Sequence, residues 1–297
     1  MPGGPVKLLD FSKKKAGRLL KKAQQRDSEG KVDEAIAIYI EAIACDPENA
    51  VIHYNLGLIY KYRGEWAQSF EFNQKANTLN PEDKAACWNL AIAATALRYW
   101  PVARSKWKEY GVELDESAGP IEMDFGLSPI RLNPDGDAEV VWAERIDPAR
   151  ARIDSIPFMQ SGFHYGDVVL NDGAPVGYRM LNERECAVFN VLELFEPSGY
   201  TTCAVTVAVE SDSDLDALVE IFSTIRSHFE DWTINTRMLC KACSEGRPHE
   251  QHDHEKKTEW SGERRLGVAV YPGDDIRHIM AQWQASSQGR VVSFDGC

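Results

Sequence analysis

The chain has 297 residues, 43% hydrophobic and 27% charged, which is the composition of a folded globular protein long enough for two domains. Its formal net charge of −13 should repel nucleic acid and anionic membranes over most of the surface. No apolar run approaches the roughly 20 residues that a membrane-spanning helix needs, and the first residues lack the apolar core of a secretory signal.

Seven cysteines are scattered along the chain, an odd number that does not suggest a disulfide framework. Scattered cysteines of this kind are typical of proteins in a reducing compartment. The pattern therefore predicts a cytoplasmic protein whose thiols are reduced.

The charge is distributed unevenly. Residues 1–115 hold 17 Lys and Arg against 15 Asp and Glu, whereas residues 116–297 hold 16 against 31. Residues 1–15 form a basic N-terminal segment, and the basic run continues to Arg26. Such a run is usually the solvated face of a helix. Contact with RNA or a membrane is the alternative.

Residues 16–115 contain an internal repeat of 34 residues, visible when Pro47 is aligned with Pro81. Small and large residues recur at fixed phases. They are Ala35, Gly57, Ala76 and Ala91 among the small residues, and Tyr60, Trp66, Trp100 and Trp107 among the large ones. Small residues let paired helices approach closely, and aromatic residues fill the space between them. The spacing predicts three helical repeats, about the minimum for a stable stack.

This pattern resembles the tetratricopeptide repeat. The resemblance implies a helix–turn–helix array whose inner helices line a concave groove for extended or helical peptides. The groove positions are Tyr54, Asn55, Leu58 and Tyr62 in the second repeat, with Trp88, Asn89 and Ile92 in the third. In members that clamp a C-terminal carboxylate, lysine, arginine and asparagine form the clamp. Here only Asn55 fits, which argues against a chaperone tail. Peptide binding and packing against the protein's own second domain both remain open.

Residues 116–137 are punctuated by glycine and proline and have no helical period, which predicts a linker. Beyond it, hydrophobic residues alternate with period 2. Strands are predicted over 140–146, 165–170, 177–181 and 187–194. The second and third of these should be joined by a turn at 171–173. Short strands at this spacing favour a small curved sheet or barrel.

The remainder of the chain mixes strands with helices. Strands are predicted over 202–209, 266–271 and 291–294. A helix should begin at a capping box of Ser213 and Asp216 and run to Phe229, and Asp274 should open another. This order favours a ferredoxin-like α+β layer. The predicted fold is thus a helical repeat array followed, over 138–297, by an acidic β-rich, ferredoxin-like α+β domain.

Five short motifs stand out in the second half. They are Trp142-Ala-Glu144, Ile153-Asp-Ser-Ile-Pro-Phe158, Tyr165-Gly-Asp167, Ser198-Gly-Tyr-Thr201 and Asp214-Leu-Asp-Ala-Leu218. Together they are similar to a family of bacterial domains of unknown function, over about residues 138–222. The resemblance implies a bacterial origin and brings no assigned activity.

Residues 240–254 carry the strongest candidate metal site. The candidate ligands are Cys240, Cys243, His249, His252 and His254. Two thiolates from a CxxC turn and two imidazoles suit tetrahedral Zn²⁺, and a filled four-ligand site is structural. The sequence therefore predicts a structural zinc ion, with the choice among the histidines open. A solvated histidine-rich loop beside two reduced cysteines is the alternative.

The sequence holds no phosphate-binding loop, nucleophile elbow or HExxH helix. His164 and Cys186 lie near carboxylates but lack the partners of a catalytic site. We therefore predict a non-enzymatic adaptor that binds a protein or peptide. One alternative is an immunity-type protein that neutralises a basic partner. Another is a zinc hydrolase with Glu250 or Glu255 as its base.

Overall fold

The computed structural model describes residues 5–181, 184–237 and 262–297. The chain forms two compact units, Met1–Ile121 and Glu122–Cys297. The boundary between them falls inside the predicted linker 116–137, and part of that stretch is a strand. Among the helices of the described residues, none is both long and apolar enough to cross a membrane.

Six helices build the N-terminal unit, in pairs that are adjacent in sequence. They are α1 (Pro5–Ser28), α2 (Val32–Cys45), α3 (Ala50–Tyr62), α4 (Trp66–Leu79), α5 (Lys84–Ala96) and α6 (Trp100–Tyr110). The members of each pair pack on each other, and α4 also packs on α5. The predicted helical repeat array is confirmed.

Small residues at the predicted phases are buried between these helices. Ala35 and Ala91 are fully buried, while Tyr39 and Trp107 fill the adjoining space at 1% and 0% exposure. The basic N-terminal residues continue directly into α1, where Lys13, Lys14 and Lys15 are exposed and Ala16 is buried. The basic run is therefore a solvated helix face.

Arg104 on α6 organises the chain that follows the last helix. Its side chain is buried, and Nη1 forms an ion pair with Asp115 Oδ1 at 2.6 Å. Nε donates to the carbonyl of Gly119 at 2.7 Å, and Nη2 donates to that of Pro120 at 3.1 Å. The guanidinium lowers the pKa of the Asp115 carboxyl below its usual value. One side chain thus folds residues 115–120 back onto the array, because its fork of donors matches several carbonyls at once.

The second unit begins with a closed five-stranded barrel. Its strands are β1 (Leu127–Leu132), β2 (Glu139–Arg145), β3 (Arg150–Ile153), β4 (Val168–Leu181) and β5 (Arg184–Glu196). Consecutive strands pair antiparallel, and a parallel pairing of β1 with β5 closes the barrel. The apolar interior is built from alternate positions such as Ile130, Val141 and Val169. Strand β1 was missed in the sequence because Pro129 and the flanking glycine read as linker punctuation.

The predicted turn at 171–173 does not divide the fourth strand. Strand β4 runs from Val168 to Leu181, and its pairing with β5 shifts register at several points between residues 168 and 177. Asn171 is fully buried, and its backbone N–H donates to the Ala149 carbonyl at 2.7 Å. Asn-Asp-Gly therefore forms an irregularity within a bent strand instead of a hairpin, because its backbone groups are engaged by a neighbouring segment.

A four-stranded sheet with helices completes the unit. In chain order its elements are β6 (Thr201–Ala208), α7 (Asp212–Phe222), β7 (His228–Asp231), α8 (Trp232–Arg237), β8 (Glu263–Val270), α9 (Ile276–Ser286) and β9 (Arg290–Asp295). The strand order is β7-β8-β6-β9, with antiparallel neighbours. Helices α7 and α9 bury Leu218, Met280 and Trp283 against one face. This is the ferredoxin-like arrangement that the sequence predicts.

Helix α7 is shorter than predicted and begins earlier. Its capping box consists of Ser211 and Asp214, and it ends at Phe222. Phe229 belongs to strand β7, yet its ring lies 4.9 Å from that of Phe222. Both phenylalanines serve one core, so the apolar spacing alone could not show that the chain leaves the helix between them.

Two cysteines form a disulfide, contrary to the prediction of reduced thiols. Cys203 on β6 is bonded to Cys297, 94 residues away. The pairing of β6 with β9 brings them together, since Ala204 lies opposite Asp295. By loop-closure entropy such a link stabilises the fold by about 4–5 kcal/mol. Sequence spacing could not predict it, because proximity depends on strand pairing.

Two half-buried carboxylates hold the connection between β3 and β4. Glu139 of β2 accepts the Phe158 N–H at 3.1 Å, and Glu230 of β7 accepts the Ile156 N–H. Trp232 donates from Nε1 to the Ile156 carbonyl at 3.1 Å. Burial raises the pKa of Glu139 and of Glu230 to about 7. The connection is therefore fixed from both sides by groups that titrate near neutral pH.

Gly57 on α3 lies at a close approach between two helices of the repeat array. A Cβ there would lie 2.6 Å from Cγ of Asn73, which is fully buried on α4. We expect Gly57→Ala to lower the free energy of unfolding by about 1–3 kcal/mol through overpacking, measured by urea unfolding. Gly17→Ala is the matched control, because a Cβ at residue 17 of α1 meets nothing within 4 Å. It should be neutral or stabilising by up to about 1 kcal/mol. Equal effects of both changes would contradict close packing at Gly57.

The raised pKa of Glu139 predicts a pH-dependent stability. A carboxyl with a pKa of about 7 in the fold and 4.5 as its ordinary value favours the fold fully below pH 4.5, and this contribution is lost as pH rises to 7. Glu139→Gln is neutral throughout. It should match the wild type near pH 4.5 and exceed its free energy of unfolding by about 1–3 kcal/mol at pH 8.

Unfolding curves at several pH values measure this difference. Glu220→Gln on α7, where the glutamate is exposed, serves as the control and should leave the pH profile unchanged. A Glu139→Gln profile parallel to that of the wild type would show that the Glu139 carboxyl does not titrate in this range.

Candidate functional site

The predicted groove residues of the second repeat lie on one face of α3. Tyr54, Asn55 and Leu58 are half-buried, and Tyr62 is 59% exposed. Val51, one turn earlier on the same face, is 51% exposed. Spacings of three and four residues place these side chains in one row along the helix. We call this row, Val51 to Tyr62, the α3 stripe.

The predicted groove residues of the third repeat are less accessible. Asn89 and Ile92 are buried at 4% and 0% exposure, and Trp88 is half-buried. Asn89 Oδ1 accepts a hydrogen bond from Nζ of the buried Lys61 at 3.1 Å. Trp88 packs edge-on against Trp107, with ring centroids 4.8 Å apart. These residues act as core, so the α3 stripe is the accessible part of the predicted groove.

The predicted zinc ligands, from Cys240 to His254, lie outside the described residues. The zinc site therefore stays a prediction. Within the described ranges no group of three His, Cys, Asp or Glu side chains has the spacing of a metal site.

The side chains considered for catalysis have other roles. His164 Nδ1 lies 2.9 Å from Oγ1 of Thr202, and its backbone N–H donates to Asp167. Cys186 is half-buried on β5, with a long contact of 3.9 Å to the carbonyl of Arg184. Among the described residues, Cys186 has no hydrogen-bonded base that would activate it as a nucleophile, and His164 contacts no nucleophilic thiol.

The second unit also contains a pocket that sequence reasoning did not identify. Its volume is about 350 Å³. The lining residues are Glu144, Arg152, Ile153, Asp154, Tyr165, Gly166, Ser198 and Tyr200. The first four come from β2, β3 and the residue after β3, and the others from the turn before β4 and the entry to β6. The pocket thus lies where the barrel meets the sheet.

Backbone N–H groups that donate to the buried Asp167 side chain fix the wall of this pocket. Asp167, 1% exposed, accepts the Ser198 N–H at 2.7 Å and the His164 N–H at 2.8 Å. The Ser198 hydroxyl in turn donates to the Tyr165 carbonyl at 2.7 Å. Gly166 has φ +79°, and a Cβ there would lie 3.1 Å from Cβ of Ser198. Only glycine allows the two turns to approach this closely in that conformation.

Aromatic rings surround one side of the pocket. The rings of Tyr165 and Tyr200 meet edge-to-face with centroids 5.2 Å apart, and His228 lies 4.5 Å from Tyr165. Tyr271 packs on Tyr200 at 5.4 Å, and the Arg226 guanidinium lies over the Tyr271 ring at 4.8 Å. The aromatic group next to the pocket therefore already holds one guanidinium.

Two acidic side chains lie close enough to the aromatic wall to affect its titration. Burial raises the pKa of the Tyr165 hydroxyl, and the nearby charge of Asp154 and Glu144 raises it further. Burial lowers the pKa of His228, so its ring favours the neutral form. Negative charge beside an aromatic face is a favourable setting for a cation.

The pocket brings together residues from short motifs that are far apart in the sequence. Glu144, Asp154, Tyr165 and Tyr200 come from four of the five short motifs, which are up to 56 positions apart. A signal was therefore present in the sequence, but nothing in the spacing showed that these motifs meet.

One family model and two known proteins match the repeat array. A family model described as TPR repeat matches residues 28–64. A probable UDP-N-acetylglucosamine--peptide N-acetylglucosaminyltransferase SPINDLY of Hordeum vulgare is 39% identical over 22% of this chain, but the match spans 7% of that protein. The Photosystem I assembly protein Ycf3 of Acaryochloris marina is 26% identical over 44% of this chain and 78% of its own length.

Solved structures include two repeat domains. The second TPR of Spaghetti (RPAP3) bound to HSP90 peptide SRMEEVD is 21% identical and covers 35% of this chain and 90% of its own, with a TM-score of 0.34. The first TPR of the same protein, bound to the same peptide, is 27% identical and covers 33% and 77%, with a TM-score of 0.31. The peptide in each case is a ligand of that protein.

The helical repeats, their 34-residue spacing and the family match agree on the first unit. The bacterial family suggested by the motifs of the second unit stays a prediction. The six helices of the N-terminal unit are therefore a tetratricopeptide repeat array.

Proposed function

We propose that this chain is a non-enzymatic interaction protein that binds a peptide or protein segment along the α3 stripe. The observation that carries the proposal is the accessible row of apolar and aromatic side chains on α3. Val51 and Tyr62 at its ends are each more than half exposed. Repeat arrays use surfaces of this kind for extended ligands.

The chemistry of the stripe favours an apolar segment. Tyrosine and leucine side chains supply large contact area, and aromatic residues are enriched at the positions that dominate binding energy. The stripe offers few charges of its own, since Lys61 beside it is buried and lies with Nζ 4.4 Å from the Tyr62 ring centroid. A segment with apolar residues at helical or extended spacing would match it.

The relatives support an interaction role in general terms. Ycf3 carries the name of an assembly protein, and the two Spaghetti domains are described as bound to a peptide. The SPINDLY match covers a short repeat segment of a much longer transferase, so it supplies no argument for glycosyl transfer here.

The acidic second half adds a preference for a basic partner. Residues 116–297 carry 31 acidic against 16 basic side chains, and such a field accelerates the approach of a cationic protein. An immunity-type protein that neutralises a basic partner is one form of this function.

We also propose that Cys240, Cys243 and two of His249, His252 and His254 hold a structural zinc ion. Their residue types and close spacing support it. In the sequence they lie after Arg237, where α8 ends, and before Glu263, where β8 begins. Binding of a metal by these residues would add its binding energy to the stability of the fold.

The role of the α3 stripe is tested by photo-crosslinking in the full-length chain. A benzophenone side chain at position 62 should capture a partner, and Val51→Glu should reduce capture at least about tenfold, because a charge would be desolvated in an apolar contact. Ile40→Glu is the matched control, since Ile40 on α2 is 53% exposed against 51% for Val51.

Capture by position 62 that is equally reduced by both changes would indicate a general loss of folding, which melting curves would reveal. Capture that neither change affects would refute binding along the α3 stripe.

Metal content tests the zinc proposal. We expect one zinc per purified chain, with two sulfur and two nitrogen ligands in X-ray absorption. Cys240→Ser should lower the melting temperature because metal binding energy is folding energy. Cys45→Ser, at a free half-buried thiol on α2, is the control and should have a smaller effect. Zinc-free protein with an unchanged melting temperature would refute a structural zinc, and an oxygen ligand would favour the hydrolase.

A further inference from the structure

We propose that the pocket lined by Glu144, Asp154, Tyr165 and Tyr200 binds a guanidinium group, as in an arginine side chain of a partner. The pocket lies within the second unit. The proposal does not depend on the α3 stripe, and the two can fail separately.

Two carboxylates at the pocket are available to a ligand. Glu144 and Asp154 are exposed, and among the described residues neither has a salt-bridge partner within 4.0 Å. Arg152, across the β2–β3 pair from Glu144, also lines the pocket. The lining thus has an excess of one negative charge, and a cation would complete the charge balance. A carboxylate accepts two parallel N–H bonds from a guanidinium, which makes such pairs strong and directional.

The aromatic wall selects a planar cation. Tyr165 and Tyr200 present their rings beside the carboxylates, and a guanidinium stacks on an aromatic face more readily than an ammonium does. The same group of rings already contacts one guanidinium, because that of Arg226 lies 4.8 Å from the Tyr271 centroid and its Nη1 donates to the Tyr271 hydroxyl at 2.6 Å. A guanidinium–tyrosine contact of the kind proposed for the ligand is thus already present next to the pocket.

Hydrogen bonds hold the wall in place in the absence of a ligand. Asp167 and Ser198 hold the turns that carry Tyr165 and Tyr200, through backbone and hydroxyl hydrogen bonds of 2.7 Å. The Tyr200 hydroxyl donates to the Arg226 carbonyl at 3.0 Å. A preformed site loses little conformational entropy on binding. A volume of about 350 Å³ lies near the lower end of ligand pockets, which span roughly 300–1,000 Å³.

Other ligand classes fit less well. An anion would face Glu144 and Asp154, and a neutral apolar group would desolvate both. A metal ion would need more ligands than the described residues assemble, since they hold no group of three His, Cys, Asp or Glu side chains at metal spacing. A guanidinium uses the carboxylates and the rings together.

The probe is the tripeptide acetyl-Gly-Arg-Gly-amide, titrated into the full-length protein and followed by NMR. Acetyl-Gly-citrulline-Gly-amide is the matched control, because citrulline is neutral and nearly isosteric with arginine. We expect the arginine peptide to bind at least about tenfold more tightly and to shift resonances of Tyr165 and Tyr200. Propylguanidine distinguishes the source. Equal affinity would identify a free guanidinium compound as sufficient, and tighter peptide binding would indicate a protein partner.

The affinities of pocket variants for the arginine peptide test which side chains bind the guanidinium. Asp154→Asn and Glu144→Gln should each weaken arginine-peptide binding at least about threefold, and both together at least about tenfold. Tyr165→Phe keeps the ring and should retain binding. Glu220→Gln, an exposed carboxylate on α7, and Val51→Glu on the α3 stripe should have no effect.

Equal binding of the arginine and citrulline peptides would overturn the proposal, as would full affinity in the double variant. Each variant is checked by its melting curve. Should Asp154→Asn unfold, Glu144→Gln alone decides, because its exposed side chain lies on a strand that its backbone pairs hold in place. If crosslinking at the α3 stripe fails while the arginine peptide still binds, the proposed binding along the α3 stripe is refuted. The proposed guanidinium site is then unaffected.

Discussion

The buried carboxylate of Asp167 is the interaction on which the second unit depends. Its two oxygens accept N–H groups from His164 before β4 and from Ser198 before β6, so one side chain joins the barrel to the sheet. Its backbone carbonyl also accepts the Ile153 N–H at 2.9 Å. Burial of this polar side chain is tolerated because each of its oxygens is hydrogen-bonded. The hydrogen bonds of Asp167 therefore also fix the positions of Tyr165 and Tyr200 in the pocket.

The repeat array was predictable because its constraint is local and periodic. Each pair of helices must bury small residues at one phase and large ones at another, so the repeat spacing alone placed Ala35 and Ala91 in the core. The same reasoning did not predict which side chains of α5 are accessible. Asn89 and Ile92 occupy groove phases but are buried, and phase within a repeat does not report what else covers a helix face.

The second unit was predictable as a class but not in detail. Alternation predicted most strands and the ferredoxin-like order, since period 2 is a direct consequence of strand geometry. It failed where one core draws on two element types, as Phe222 and Phe229 show, and where a buried backbone converts a turn sequence into a bent strand, as at Asn171. The disulfide of Cys203 and the pocket could not be predicted from the sequence for one common reason. Both arise from strand pairing between distant segments, which no local pattern encodes.

In the proposed recognition of a basic partner, charge and shape would make separable contributions. The acidic excess of residues 116–297 acts over a distance set by the Debye length, about 8 Å at physiological ionic strength. It would therefore set the association rate of the proposed basic partner, and this effect would weaken with added salt. The pocket acts at contact, where the half-buried Tyr165 and Tyr200 rings limit screening. A guanidinium held there would gain stacking energy that salt does not remove. Under this proposal, added salt would mainly lower the association rate. The dissociation rate would depend mainly on the contacts of Asp154 and Glu144 with the ligand.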